Sequence, residues 1–429
     1  MPLHPLQSHL RSGGHRKASL ATALVSLCTP WVPLGAVPAC ARDVSPKVLR
    51  AAVQVQVPAS VRELGEMVGI DSGSSDSAGL KVMATYLEAR LAALGAKVER
   101  RPVPPAAGDM LVATLHGSGS AKFLLLAHMD TVYQPGAAAK WPFVVKGDQA
   151  TGPGVSDDKG GIAVVLGTLA MLRQLRFADY GTITVAFNPD EEIGSPGSRT
   201  LIQDLGSQHD YVLSCEPGGK ERILATSGIA TLTMTVEGKP AHAGVAPQDG
   251  RNALVAAADV IARTRDWSEP DKGFKFNWTI ARSGEKHNIV PDHAEATADI
   301  RYVREADVTA LMARIQELAA VPTVAETKIG FTVNRNRPPM VPTDKARAIA
   351  VVAAQAATEF GYPVIIRDTP FGGGSDAAYA AASGKPGVVE SFGIGGNHGH
   401  TFGEETADLG SLASSIYIMA RTIMRLSDA

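Results

Sequence analysis

Three apolar runs in this chain of 429 residues stop abruptly at acidic or histidine residues, and helical segments lie between or after them. They are FLLLAHMD (Phe123–Asp130), TITVAFNPDEE (Thr182–Glu192) and YVLSCEP (Tyr211–Pro217). Short apolar runs bounded by polar clusters read as buried strands. Strands alternating with helices imply an α/β fold with a mainly parallel sheet. One helical segment, DKGGIAVVLGTLAMLRQL, sets Ile162, Val165, Leu169 and Leu172 on one stripe. In open α/β sheets the crevice beyond the carboxyl ends of the strands is where ligands bind. The polar residues that close these runs are therefore expected along one edge of the sheet.

At about Ser227 the pattern changes. IATLTMTVEG alternates as a strand, NALVAAADVIARTRDW reads as a helix, and FKFNWTIARSG and AEATADIRYV read as two strands in succession. A helix, EADVTALMARIQELAAV, and a strand, TKIGFTVNRN, complete the order β-α-β-β-α-β. That order is the split βαβ sandwich. From Arg337 the α/β pattern returns with KARAIAVVAAQAATEFG, the turn FGGGSDAA and the strand PGVVESFGI. The expected organisation is a large domain in two pieces, residues 42–226 and 337–429, with a smaller domain inserted over 227–336. The length suffices for each to bury its own core.

The first 41 residues stand apart. His15, Arg16 and Lys17 precede a mostly apolar stretch interrupted by Pro30, Pro33 and Pro38, and Ala39-Cys40-Ala41 offers small residues for cleavage. This reads as a secretory signal peptide, implying a secreted or periplasmic protein, with lipidation at Cys40 the less favoured alternative. No membrane span is expected. The mature chain would keep only Cys215 and form no internal disulfide. A formal net charge of -2, with no basic tract, gives no reason to expect a nucleic acid partner.

The polar strand ends are of one chemical kind. His128 and Asp130 follow the first run; Asp157 and Asp158 lie in GPGVSDDKGG; Asp190, Glu191 and Glu192 follow the second; Glu216 ends the third; His398 and His400 follow VVESFGIGG. A single acidic pair at a helix start is often only a cap. Several such groups in one crevice would repel one another and resist desolvation unless a cation joined them. Mixed imidazole and carboxylate donors suit Zn²⁺, with Co²⁺ or Mn²⁺ as substitutes. Two histidines and three carboxylates serve two ions if one carboxylate bridges them. Of the neighbours Glu191 and Glu192, one can bind metal while the other faces water.

AHMDTV, GPGVSDDKGG, NPDEEIGSPGSR, SCEP, GKPAHAGVAP, GGGSDAA and GHT together resemble the motif series of a di-zinc metallopeptidase family. That family holds glutamate carboxypeptidase, acetylornithine deacetylase, succinyl-diaminopimelate desuccinylase and the aminoacylases. The likeness is greatest to its glutamate carboxypeptidase (carboxypeptidase G) branch and runs from about Val48 to the C-terminus. The resemblance implies a zinc-exopeptidase-like sheet with an inserted lid and dimerisation domain, and two Zn²⁺ per subunit. It implies that His128 and Glu216 bind one ion, Glu192 and His400 the other, and Asp157 both. Glu191 would be the general base and Asp130 would orient His128. The Asp157–Asp158 peptide would be cis. His242, in KPAHAG, would donate to the oxyanion across a subunit or domain boundary, implying a homodimer through the inserted domain.

The resemblance also puts Arg301, Arg337 and Asn288 at substrate-binding positions, assisted by Gly373, Gly374 and Ser375, with Arg222 standing where a lysine is expected. Guanidinium groups suit planar carboxylates. The implied reaction releases a C-terminal glutamate from N-acyl, peptide or folate-like conjugates. The rivals are an aminoacylase acting on other N-acyl amino acids and a non-catalytic binding homologue.

Overall fold

The computed structural model describes residues 44–428. The leader expected over residues 1–41, with Cys40, lies outside them. Helices α1 (Pro46–Val68) and α2 (Ser77–Ala93) come first. Strands β1 (Lys97–Pro102), β2 (Asp109–His116) and β3 (Lys122–His128) follow. Then come α3 (Lys159–Gln174), β4 (Thr182–Asn188), α4 (Arg199–Gln208) and β5 (Tyr211–Ser214). The inserted part consists of β6 (Gly228–Glu237), α5 (Ala253–Thr264), β7 (Lys275–Ser283), β8 (His293–Tyr302), α6 (Glu305–Ala319) and β9 (Lys328–Arg337). The chain ends with α7 (Asp344–Phe360), α8 (Ala377–Ala381), β10 (Gly387–Val389) and α9 (Gly410–Ser427).

The main sheet has the order β1-β2-β4-β3-β5-β10. Strands β4, β3, β5 and β10 run parallel, as the alternating pattern implied. The edge strand β1 and its neighbour β2 pair antiparallel and were not read from the sequence; KVERRP of β1 carries no apolar run. Phe123, Leu125, Val185 and Leu213 pack on one face with Ile162, Val165, Leu169 and the C-terminal helix. Leu124, Leu126 and Val212 pack on the other with Ile202 and Ala377–Ala380. Burial on both faces explains why these strands are apolar without alternation.

The inserted part forms an antiparallel sheet, β7-β8-β6-β9, as a split βαβ sandwich requires. Its alternating strand β6 turns Ala230, Leu232, Met234 and Val236 inward to meet Ala256, Val260, Val308, Leu311 and Ile315 of α5 and α6. That core is separate from those of the main sheet. The sheet's other face carries no helix of its own, so β6 and β8 alternate buried with more exposed residues. Among the described residues no helix is long and apolar enough to cross a membrane.

Candidate metal centre

Parallel pairing sets the ends of β3, β4 and β5 side by side, with His128 opposite Asn188 and Leu126 opposite Ser214. The residues just beyond therefore converge. His128 Nε2 lies 3.0 Å from Asp157 Oδ1 and 3.8 Å from Glu216 Oε1. His400 Nε2 lies 3.2 Å from Asp157 Oδ2 and 3.0 Å from Glu192 Oε2. The Asp157 carboxylate is thus shared, one oxygen toward each histidine. Donor atoms of His128, Glu191 and Glu216 all fall within 4.8 Å of one another, as do those of His128, Asp157 and Glu192. His398 is exposed, and the charged group nearest its ring is Glu404 at 4.0 Å, so of the two histidines in GNHGH it is His400 that meets the cluster.

Asp130 does more than face one histidine. It lies 3.3 Å from His128 Nδ1. Its two oxygens also accept from the backbone N–H groups of Glu191 and Glu192, both at 3.1 Å, and from Ser74 Oγ at 2.7 Å. The hydrogen bond of His128 Nδ1 is to the Asp130 carbonyl at 3.1 Å, so one wholly buried residue sets the imidazole through its backbone and the turn carrying the glutamate pair through its carboxylate. The Asp157–Asp158 peptide is cis, as the resemblance implied. Asp158 points inward, where one oxygen accepts from the His128 N–H and the other has no hydrogen-bond partner.

Glu405 was not singled out in the sequence. Fully buried, it accepts from the N–H groups of Gly154, Ser156 and Asp157, from Ser156 Oγ, and from Tyr133 OH at 2.7 Å. It ties the loop bearing Asp157 to the loop bearing His400. A lone glutamate five residues past a candidate ligand has no periodicity to mark it. Lys159, also buried, donates to the carbonyls of Ile70 and Pro153, and burial pulls its ammonium down to about 8.

Burial pushes the Glu192 carboxyl up to about 7, against the pull of His400. Burial, and then the neighbouring Glu191, raises Glu216 well above the carboxylate range. Burial acts the same way on Asp157, but hydrogen bonds from His128 and His400 outweigh it and hold that carboxyl low. His400 rises to about 10 through its bonds to Asp157 and Glu192. Such a cluster is comfortable only with added positive charge, whether protons or cations. The buried Glu192 Oε1 has no hydrogen-bond partner, which suits an oxygen meant for a metal. The donor set of imidazoles and carboxylates fits zinc.

A cavity of about 330 Å³ opens beside Asp157 and Glu216, bordered by Gly373, Gly374, Ser375 and Glu390. Among the described residues the N–H groups of Gly373, Gly374 and Ser375 donate to no protein acceptor. Ser375 Oγ is committed to the buried Glu390 at 2.5 Å. Arg301 reaches the same loop, its Nη1 lying 3.3 Å from the Gly372 carbonyl. Arg337 does not face the cavity openly; it is 5% exposed and lies against Glu191. Arg222 is wholly buried over the Phe392 ring and donates to the carbonyls of Gly219, Glu221 and Ser391, so it does not stand in for a substrate-binding lysine. His242 and Asn288 are neighbours at the tip of the inserted part, where the Asn288 carbonyl accepts from Ala243 N–H. No hydrogen bond or ion pair among the described residues joins either to the metal-binding cluster.

Comparisons with known proteins agree with this geometry. Residues 124–425 match peptidase family M20/M25/M40. Carboxypeptidase G2 of Pseudomonas sp. (strain RS-16) is 43% identical over 383 residues, covering 88% of this chain and 92% of its own. Among solved structures, aminopeptidase PepT of Bacillus cereus superposes with a TM-score of 0.74 at 26% identity, over 86% of this chain and 98% of that one. A tripeptidase from Staphylococcus aureus gives a TM-score of 0.77 at 22% identity, over 87% and 99%, which speaks to the fold alone. The chain belongs to peptidase family M20/M25/M40 and has the donor cluster of a metallocarboxypeptidase-like enzyme.

Proposed function

We propose that this protein hydrolyses the amide bond to a C-terminal glutamate in N-acyl, peptide or folate-like conjugates. The observation that carries the reading is the Asp157 carboxylate divided between His128 and His400, with Glu191 close to His128 yet in no ion pair with either histidine. The 43% identity to carboxypeptidase G2 supports glutamate as the leaving amino acid.

His128 and Glu216 would hold one cation, His400 and Glu192 the other, and Asp157 both. Bound there, zinc would supply a water of lowered pKa and polarise the scissile carbonyl. Glu191 takes the proton from the attacking water and returns it to the leaving amine. Asp130 keeps His128 in one orientation and holds the Glu191–Glu192 turn. The free N–H groups of Gly374 and Ser375, with Arg301, receive carboxylate oxygens of the substrate. His242 and Asn288 act from the lid tip. His242 would come from a second subunit or through domain closure, donating to the developing oxyanion.

The test is a substrate panel with the zinc-loaded protein: N-acyl-glutamate against N-acyl derivatives of alanine, leucine and lysine. We expect kcat/KM to favour glutamate by about tenfold or more, the scale of one recognised carboxylate. Equal rates across the panel would make it a general aminoacylase. No hydrolysis by protein holding both zinc ions would make it a binding homologue.

A further inference from the structure

We propose that Arg337, alike with Arg301 in the sequence as a candidate carboxylate receptor, instead positions the Glu191 carboxylate, while Arg301 keeps the receptor role given to it above. This rests on the function proposed above.

Arg337 is the last residue of β9, where the chain passes from the inserted part back to the main body. The crossing is pinned. Thr226 and Met340 exchange backbone hydrogen bonds at 3.1 and 3.2 Å, Tyr302 OH donates to the Arg337 carbonyl at 3.2 Å, and Tyr379 OH donates to the Asn336 carbonyl. The guanidinium is occupied on two sides. Nη1 lies 2.5 Å from Glu191 Oε1 and 3.6 Å from Asp376 Oδ1, an ion pair without hydrogen-bond alignment. Nη2 donates to the Glu191 carbonyl at 2.5 Å. Asp376 is fixed in turn by Asn188 Nδ2 at 2.7 Å and by Ser195 Oγ.

A substrate carboxylate could claim this guanidinium only by displacing Glu191, leaving an acid that is 8% exposed without its counter-charge. The packing above also closes the approach: a Cβ at Gly374 would lie 3.4 Å from Arg337 Cδ, so the glycine loop rests on the arginine stem. Glu191 needs such a holder. Its neighbour Glu192 is drawn to His400 at 3.0 Å, and Asp130 fixes only the backbone of the pair. Arg337 is what turns the Glu191 side chain away from that of Glu192.

Arg301 has the opposite character. It is the penultimate residue of β8, on the inserted part, and its side chain is 30% exposed. Nε donates to Asp299 at 2.9 Å and Nη1 to the Gly372 carbonyl at 3.3 Å, while Nη2 makes no hydrogen bond among the described residues. It therefore stands at the rim of the glycine loop that borders the cavity, with a donor to spare for a carboxylate.

The test compares Arg337→Lys, Arg301→Ala and wild type, each loaded with zinc and checked for unchanged zinc content. Steady-state rates on N-acyl-glutamate are paired with calorimetric titration of free glutamate. For Arg337→Lys, which keeps the charge but loses the fork, we expect kcat to fall about tenfold or more, with KM and glutamate affinity within about threefold. For Arg301→Ala we expect KM and the glutamate Kd to rise about tenfold or more, with the smaller change in kcat. Asp376→Asn, which loosens Arg337 without touching Glu191, should lower kcat and leave glutamate affinity alone. Should Arg337→Lys weaken glutamate binding as much as Arg301→Ala, or more, the assignment is overturned. The substrate proposal fails separately: if the panel shows no preference for glutamate, the kcat-against-KM split is still read on any N-acyl amino acid, since all carry the α-carboxylate.

Discussion

The floor of the metal centre and the tip of the inserted part both carry a histidine that the sequence marks, and the two are held in opposite ways. His128 is 1% exposed and has an acid on each ring nitrogen, Asp130 at 3.3 Å and Asp157 at 3.0 Å. His242 is exposed, and its ring contacts are to the N–H groups of Gly244 and Val245 in its own turn, each at 3.2 Å. The difference follows from the elements beneath them. His128 ends a strand paired on both sides in a sheet covered on both faces, so it cannot be elsewhere. His242 rides on a two-residue strand paired with Ile289–Val290, standing off the four-stranded sheet of the inserted part. One region is finished within the chain; the other awaits something brought to it.

The sharpest way to break that contrast is to remove the base from the finished region. Glu191→Gln should lower kcat by about 10²–10⁴-fold, the usual contribution of a positioned acid–base group. Zinc content should stay at two ions per chain, because the cations are assigned to the other five donors. Near-normal turnover in that variant, measured with zinc quantified in the same sample, would sink the role given to Glu191.

What was legible in the sequence was what the sheet itself dictates. Strand ends in a parallel sheet share an edge, so His128, Glu191, Glu192 and Glu216 could be grouped from the pattern of apolar runs alone. Glu405 and Asp376 were not assigned. Glu405 acts through backbone N–H groups 248 to 251 residues away, and Asp376 lies in GGGSDAA, a turn marked by its glycines and serine rather than by its acid. Buried acids that organise loops have no spacing rule. The resemblance puts Arg337 among the substrate-binding residues, but a sequence cannot say that Glu191 and Asp376 already lie against its guanidinium.

The unfinished region gives a smaller effect that carries more geometric information. His242→Ala should cost about 10²-fold in kcat with zinc content unchanged, as loss of one oxyanion donor does. If the histidine acts across a subunit boundary, mixing His242→Ala with Glu191→Gln protein under subunit exchange should restore activity, since one site of each hybrid would then be intact. No recovery, with hybrid dimers detected directly, would mean that His242 serves its own chain through closure.

The two regions also have separate cores, and a deletion in one should not disturb the other's chemistry. Leu232→Ala, at a wholly buried position in the inserted part, should cost about 2–5 kcal/mol in the stability of that part. Zinc affinity measured by competition with a chelator should be unchanged. Weakened zinc binding would show that the inserted core supports the metal centre, and the contrast drawn above would fail.

The smallest effect concerns a histidine of the main body that takes no part in the site. His209 is buried at the end of α4, with Nδ1 2.6 Å from the Leu205 carbonyl and Nε2 2.8 Å from Thr184 Oγ. Burial lowers its pKa below the ordinary histidine value. The folded protein therefore binds fewer protons at His209 than the unfolded chain once the pH falls below about 6.5, the unperturbed value. Its contribution to stability is present above that pH and is lost progressively below it. The histidines of the inserted part, His242, His287 and His293, are all exposed. Urea unfolding of wild type and His209→Gln, followed between pH 7.5 and pH 5.5, should show the wild type losing more stability on acidification, by less than about 1 kcal/mol per unit. Identical slopes would mean that His209 takes up its proton in the folded state as readily as in the unfolded chain.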